Sequence, residues 1–138
     1  MAQSIRDVMT SDPSTVDANA PIVEAARIMK QEDAGVVPVI ENGRLTGMVT
    51  DRDIAIRVVA EGKDPGSTTI GEVASTNLVT VDPQQDLDEA LRLMAQHKVR
   101  RLPVVEEDGR LVGVLAQADI AREGDDAQTG QVVQEISE

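Results

Sequence analysis

The chain has 138 residues, a formal net charge of −12, no cysteine and no aromatic residue. The lack of cysteine excludes disulfides, thiolate metal sites and cysteine nucleophiles. The acidity and the missing stacking side chains argue against nucleic-acid binding, and the acidity also argues against anionic membranes. No apolar run reaches the ~20 residues of a membrane helix, and the N-terminus lacks the apolar core of a signal peptide. We therefore expect a soluble cytoplasmic protein with a core of aliphatic side chains and methionine.

The first half of the chain begins with a short helix, a strand and a longer helix. Ser4 and Asp7 have the spacing of a capping box, which predicts a helical turn. Residues 14–17 predict a brief strand. A helix is predicted from Pro21 to about residue 31, with proline at its first position. Its apolar residues recur with helical spacing, at Ile22, Ala25, Ala26 and Met29.

Two short apolar runs joined by a turn follow this helix. Residues 36–40 and 45–49 predict strands, and the Asn-Gly pair at 42–43 is a strong hairpin signal. The second strand leads into Thr50 and Asp53, whose S/T-x-x-D spacing is typical of a helix N-terminus.

The same order of elements recurs in the second half of the chain. The offset is 65 residues between Pro38 and Pro103, and 66 between Gly47 and Gly113, because the second hairpin turn is one residue longer. About 20 of some 50 aligned positions are identical, which indicates an internal duplication. The second copy predicts a turn capped by Thr69 and Glu72. It also predicts a strand at 79–82, a helix with a stripe of Leu87, Ala90, Leu91 and Met94, and strands at 102–105 and 111–115.

The duplication predicts two β-α-β-β-α repeats of an α/β fold, at residues 1–67 with a linker at 60–67 and at 68–138. Each repeat is too small to bury both faces of a sheet alone, so we expect the repeats to pack about a pseudo-twofold axis. Residues 123–126 are predicted to be a loop, and residues 131–136 a last helical turn.

The repeated V-P-V strand, the glycine-containing hairpin and the G-h-h-T-x-x-D stretch at 47–53 resemble those of a tandem CBS-domain pair, a Bateman module. The resemblance covers residues 4–122, and the size is similar to that of stand-alone bacterial pairs of hypoxic-response type. It implies a non-catalytic regulatory module that binds an adenine nucleotide such as AMP or ATP between the repeats. It implies no cofactor and a homodimer.

The resemblance assigns one complete nucleotide site. In that family the aspartate of the motif holds the ribose hydroxyls, the threonine contacts ribose or phosphate, and basic residues before the partner repeat's L-P-V strand neutralise phosphate. These roles suit the chemistry, since a carboxylate accepts two hydrogen bonds and a guanidinium forks onto phosphate. The residues implied are Thr50, Asp53, Arg100 and Arg101, with Pro103 of the L-P-V strand. Leu78, Val79 and Val99 would form the apolar slot for the base, with Met48 beneath it.

The second site implied by the resemblance is degenerate. It combines Ala116 and Asp119 with Gly35, Val36 and Pro38. The carboxylate is retained, but the hydroxyl and the basic residues are missing. We expect this site to hold an uncharged adenosine moiety or nothing.

Simpler interpretations exist for each candidate residue. Thr50 and Asp53 also suit a helix cap worth about 1 kcal/mol, and Arg100 and Arg101 also suit solvated surface charges. His97 has no second ligand at metal spacing and is interpreted as a surface histidine.

Two other classes of function remain as alternatives. The carboxylate pairs at 51/53 and 106/107 have no nucleophile–base partner nearby, which argues against an enzyme. A ligand-free dimerisation or protein-interaction module is the second hypothesis, favoured by the degenerate second site and the missing aromatic residues.

Overall fold

The computed structural model describes residues 3–127, with side chains to residue 122, so the helical turn predicted at 131–136 lies outside the described residues. The helices are α1 (Ile5–Val8), α2 (Ile22–Glu32), α3 (Asp51–Ile54), α4 (Ile70–Val73), α5 (Leu87–His97) and α6 (Gln117–Ala127). A π-helix, Ala55–Val59, continues α3 directly. The strands are β1 (Thr10–Ser11), β2 (Val16–Asp17), β3 (Val36–Glu41), β4 (Arg44–Thr50), β5 (Arg101–Val105) and β6 (Leu111–Ala116). The predicted α/β class is confirmed.

The chain forms two compact units. The repeat-1 unit is Ser14–Leu78, and the repeat-2 unit combines the described residues of Met1–Pro13 and Val79–Glu138. Residues 3–13 therefore belong to the same compact unit as the second repeat. The division at 1–67 and 68–138 describes the repeat in the sequence and stays a prediction. The compact units are instead divided after Pro13 and after Leu78.

The repeat-1 unit contains a three-stranded sheet in the order β2-β3-β4. Strand β2 runs parallel to β3, and β3 forms an antiparallel hairpin with β4. The hairpin turns through Asn42 and Gly43, which both have positive φ angles, as a two-residue type I′ turn requires. Ser75, just after α4, extends the sheet at its β4 edge. It does so through two hydrogen bonds with the backbone of Met48, of 3.0 and 2.9 Å.

The repeat-2 unit contains a sheet in the order β1-β6-β5, with both neighbours antiparallel. The strand predicted at 79–82 is wrong, because Val81 forms only an isolated parallel bridge with Val104. The physical reason is Pro83. At the equivalent place in repeat 1, the backbone N–H of Ala18 donates to the Ile40 carbonyl over 3.0 Å. Proline has no N–H, so the second rung of this ladder cannot form.

The leading segment of each repeat packs against the sheet of the other repeat. Ile5 of α1 is fully buried in the core of the repeat-2 unit, and Ile70 of α4 is fully buried in that of the repeat-1 unit. The motif glycines allow these segments to approach closely. A Cβ atom on Gly47 would lie 2.9 Å from the Ser75 carbonyl oxygen, and one on Gly113 would lie 2.8 Å from the Thr10 carbonyl oxygen.

The two cores are aliphatic, as the composition predicts. Met29 and Met94 occupy equivalent buried positions on α2 and α5. The other stripe residues pack in the same cores, except Ala26, which is only partly buried. The core of the repeat-1 unit contains Val16, Ile22, Ala25, Met29, Val37, Val39, Val49, Val58, Ile70 and Val73. The core of the repeat-2 unit contains Ile5, Val81, Ala90, Met94, Leu102, Val104, Leu115 and Ile120.

Two predicted helix boundaries need correction. Pro21 is the N-cap residue of α2, and the helix begins at Ile22. The loop predicted at 123–126 is wrong, because α6 continues to Ala127. A single glycine inside a helix costs only about 1 kcal/mol, so Gly124 does not end α6.

Candidate functional site

Thr50 and Asp53 form the predicted capping box at the end of β4. The Thr50 hydroxyl oxygen accepts a hydrogen bond from the Asp53 backbone N–H over 3.0 Å. Oδ2 of Asp53 accepts one from the Thr50 backbone N–H over 2.9 Å. These reciprocal bonds hold the Asp53 carboxylate in one orientation at the strand–helix junction.

The second carboxylate oxygen of Asp53 is uncommitted. Oδ1 lies 4.0 Å from Nε of Arg57, which is an ion pair without a hydrogen bond, and no other described residue bonds to it. The Asp53 side chain is 13% exposed, so the carboxylate lies in a largely dry environment. A mostly buried carboxylate with a free lone pair is suited to accept a hydrogen bond from a ligand hydroxyl.

Gly35 and the first residues of β3 adjoin this box within the repeat-1 unit. The Asp51 backbone N–H donates to the Gly35 carbonyl over 3.0 Å, and Val36 is paired in register with Thr50. Buried Pro38 is paired with Met48. The structure thus places Gly35, Val36 and Pro38 beside Thr50, whereas the resemblance grouped them with Asp119. That grouping combines residues of both compact units and stays a prediction.

Asp119 in the repeat-2 unit has both carboxylate oxygens engaged. Oδ2 accepts a hydrogen bond from the Ala116 backbone N–H over 3.0 Å, which repeats half of the capping box. Oδ1 accepts a hydrogen bond from the guanidinium of Arg122, three residues further along α6. The Asp119 side chain is 9% exposed. This position therefore lacks the hydroxyl of Thr50, and it lacks the oxygen without a hydrogen bond that Asp53 has.

Arg100 and Arg101 lie at the start of β5 in the repeat-2 unit, and both are exposed. The Arg100 carbonyl accepts a hydrogen bond from the Gln117 backbone N–H over 2.8 Å, and Arg101 is paired with Ala116. Pro103 lies two residues further along the strand and is buried. The combination of these arginines with Thr50 and Asp53 joins residues of different units and stays a prediction.

The residues predicted to surround the base are also divided between the units. Met48 and Leu78 belong to the repeat-1 unit, and Val79 and Val99 to the repeat-2 unit. Met48, Leu78 and Val79 are partly buried, and Val79 packs against the core of its unit. Val99 is exposed. Their assembly around a base stays a prediction.

The remaining polar candidates are His97 and the carboxylate pair at 106/107. His97 is exposed at the end of α5. Glu106 accepts a hydrogen bond from the Arg6 guanidinium over 3.0 Å. Within residues 3–127, no group of three or more histidine, cysteine, aspartate or glutamate side chains is arranged to hold a metal ion. Nor does this part of the chain contain a helix that is both long and apolar enough to span a membrane.

The arginines that form ion pairs with the two motif aspartates were not predicted from the sequence. Arg57 follows Asp53 by four residues and Arg122 follows Asp119 by three, and these are the spacings at which helical side chains meet. The spacing therefore carried the signal for both ion pairs. It could not distinguish a guanidinium that bonds to the carboxylate from one that stands 4.0 Å away.

Family models and known proteins identify the class of protein that this fold and site define. The model of the CBS domain matches residues 5–60 and again residues 70–126. The chain therefore belongs to the CBS-domain family and contains a pair of these domains, a module of regulatory type. The CBS domain-containing protein YhcV of Bacillus subtilis is 50% identical over 118 residues, covering 86% of this chain and 83% of the relative.

Solved structures support the same assignment. The crystal structure of Hypoxic Response Protein I with two coordinated zinc ions is 40% identical, with a TM-score of 0.80, covering 87% of this chain and 98% of that one. The CBS domain pair of protein MJ0100, in complex with 5-methylthioadenosine and S-adenosyl-L-methionine, is 27% identical. Its TM-score is 0.79, covering 93% of this chain and all of the other. The predicted resemblance to CBS pairs of hypoxic-response type is confirmed.

Proposed function

We propose that this CBS pair is a non-catalytic sensor that binds an adenine nucleotide of the AMP or ATP kind, with Asp53 holding the ribose. Thr50 orients the carboxylate and lines the same end of the site. Arg100 and Arg101 supply the positive charge for phosphate, a role that rests on the family resemblance. Binding changes the population of conformations that a partner recognises, by differential affinity for them.

The observation that carries this proposal is the uncommitted Oδ1 atom of Asp53. Within the described residues, Asp53 keeps one carboxylate oxygen without a hydrogen bond, while the equivalent Asp119 has none to spare. A vicinal diol donates two hydrogen bonds, and the available lone pairs of Asp53 can accept them. The adenosine ligands of the MJ0100 domain pair show that a related module takes this class of compound.

Calorimetric titration with AMP, ADP, ATP and adenosine tests the proposal. We expect saturable heat with one ligand per chain. Of the two equivalent aspartates, Asp53 and Asp119, Asp53 is the one with an oxygen that accepts no hydrogen bond from the described residues. The difference in affinity between AMP and adenosine measures what the phosphate contributes. No saturable heat from any of the four compounds, with folded protein, would overturn the proposal.

Replacing the carboxylate gives a sharper test. Asp53→Ala is expected to weaken AMP binding by about 2 kcal/mol, roughly thirtyfold, because the bonds lost involve a charged acceptor. Asp51→Ala is the matched control, since Asp51 is an exposed carboxylate on the same short helix. An equal loss of affinity in both variants would show that local charge, rather than the diol contact, accounts for binding.

A specific observation favours a second role, homodimer formation. Ile56 and Val59 on the π-helix are 51% and 70% exposed, which is unusual for large aliphatic side chains beside each other. We propose that a second copy of the chain covers them, because a twofold interface brings the same apolar patch of two copies together. Analytical ultracentrifugation is expected to show a dimer that Ile56→Ser/Val59→Ser converts to a monomer. A monomeric wild-type chain would contradict this role.

A further inference from the structure

Arg57 connects the candidate ribose carboxylate to a different element of the repeat-1 unit. Its Nη1 atom donates a hydrogen bond of 2.8 Å to the carbonyl of Val73, the last residue of α4. Its Nε atom lies 4.0 Å from Oδ1 of Asp53. The guanidinium is thus fixed by a neutral acceptor and faces the carboxylate without bonding to it.

The π-helix sets this geometry. The Ala60 backbone N–H donates to the Ala55 carbonyl over 2.9 Å, an i→i+5 bond that widens the turn containing Arg57. Buried Val58 anchors the same turn in the core. π-Helical turns are uncommon and are frequent at functional sites. Arg57 lies in this widened turn, from which its guanidinium bonds to the Val73 carbonyl and lies 4.0 Å from Asp53.

The repeat-2 unit shows the alternative arrangement. Arg122 lies in the α-helix α6, one residue closer to its aspartate than Arg57 is, and its guanidinium donates directly to Oδ1 of Asp119. That bond takes one lone pair of Oδ1, the atom that accepts no hydrogen bond in Asp53. The same pair of residue types is therefore hydrogen-bonded in one unit and only ion-paired in the other.

We infer that Arg57 is a positioning residue for ribose recognition: tied to Val73, it stabilises and orients the Asp53 carboxylate while leaving Oδ1 free for a ligand hydroxyl. This inference rests on the proposed function. It predicts that Arg57 affects how well the protein distinguishes a ribose from a deoxyribose, because its influence acts through Oδ1. A purely structural role would instead change stability and lower the affinity for every ligand by the same factor.

The test compares AMP with 2′-deoxy-AMP by calorimetry in wild type, Arg57→Gln and Arg52→Gln. Arg52 is an exposed arginine on α3, so its variant controls for the change in charge. We expect Arg57→Gln to weaken AMP binding about tenfold, as for the loss of a charged partner, and 2′-deoxy-AMP binding much less. The ratio of the affinity for AMP to the affinity for 2′-deoxy-AMP should therefore fall in Arg57→Gln and stay unchanged in Arg52→Gln.

Each outcome decides between the proposals. An unchanged AMP to 2′-deoxy-AMP ratio in Arg57→Gln, with binding by the wild type, overturns the role of Arg57 and leaves the proposed function standing. No binding by the wild type overturns both. If Arg57→Gln fails to fold, the same affinity ratio is measured in Arg57→Lys and is expected to fall there as well. Lysine keeps the charge but loses the planar fork that reaches Val73 and Asp53 together.

Discussion

The two compact units have the same scaffold and different sites. Each has a motif glycine against which a leading segment packs, an aspartate whose carboxylate accepts the N-cap backbone N–H, and an arginine one turn further along the helix. In the repeat-1 unit the hydroxyl of Thr50 completes the cap and Oδ1 of Asp53 is free. In the repeat-2 unit the hydroxyl is missing and Arg122 occupies the equivalent oxygen. A duplication can therefore preserve a fold while changing the side-chain contacts at the equivalent strand–helix junction.

The largest expected effect tests which sheet each leading segment supports. Ile5→Ala and Ile70→Ala each remove a fully buried side chain and should cost about 2–5 kcal/mol of unfolding free energy. Hydrogen exchange should show that Ile5→Ala lowers protection mainly in β5 and β6, and Ile70→Ala mainly in β3 and β4. Lys30→Ala is the control, because Lys30 is exposed on α2 and belongs to neither the core nor the proposed sites. Faster exchange of β3 and β4 in Ile5→Ala would contradict the exchange of segments between repeats.

A smaller effect tests whether the hydroxyl that Thr50 has and Ala116 lacks makes one helix start more stable than the other. Thr50→Ala should lose about 1 kcal/mol of unfolding free energy, because the Asp53 N–H loses its acceptor. Ala116→Thr should gain up to about the same amount, since the Ala116 backbone already makes the matching bond to Asp119. Urea denaturation measures both, with exposed Thr80→Ala as the control. A loss at Thr50 with no gain at Ala116 would show that packing around Ala116 excludes the hydroxyl.

The smallest effect concerns the cap of α4 and its dependence on pH. Hydrogen bonds from the backbone N–H and the hydroxyl of Thr69 lower the pKa of Glu72 below its ordinary value of 4.5. A carboxylate with a lowered folded-state pKa contributes stability above its unfolded pKa and loses it as the pH falls through the folded value. Glu72→Gln should therefore be less stable than wild type at neutral pH and equal to it in acid. Urea denaturation at about pH 7 and about pH 3 measures the difference. A difference that persists in acid would mean that Glu72 acts through packing rather than charge.

Much of the fold was predictable because its signals are local. The capping boxes at Ser4, Thr50 and Thr69 depend on residues three apart, and the hairpins depend on short turns. The strand predicted at 79–82 failed because one proline, Pro83, removes a donor that the equivalent strand uses. The loop predicted at 123–126 failed because one glycine does not end a helix.

The candidate site was predictable in its residue types and less so in its contacts. Thr50 and Asp53 were identified from the motif, and the capping bonds between them are confirmed. Arg57 and Arg122 were missed, although their spacing from the aspartates was visible. The role of each depends on whether its guanidinium bonds to the carboxylate. The two arginines differ by one residue in their spacing from the aspartate, and Arg57 lies in a π-helical turn.

The sequence by itself determined the duplication, the aliphatic core, the helix starts and the family. These follow from composition and from spacings of a few residues, which local backbone geometry turns into structure. Only the tertiary structure decided that the leading segments pack with the opposite repeats, and that Asp53 keeps an open oxygen while Asp119 does not. Sheet partners and the bond from Arg57 to Val73 depend on packing between residues far apart in the chain, which no local pattern encodes.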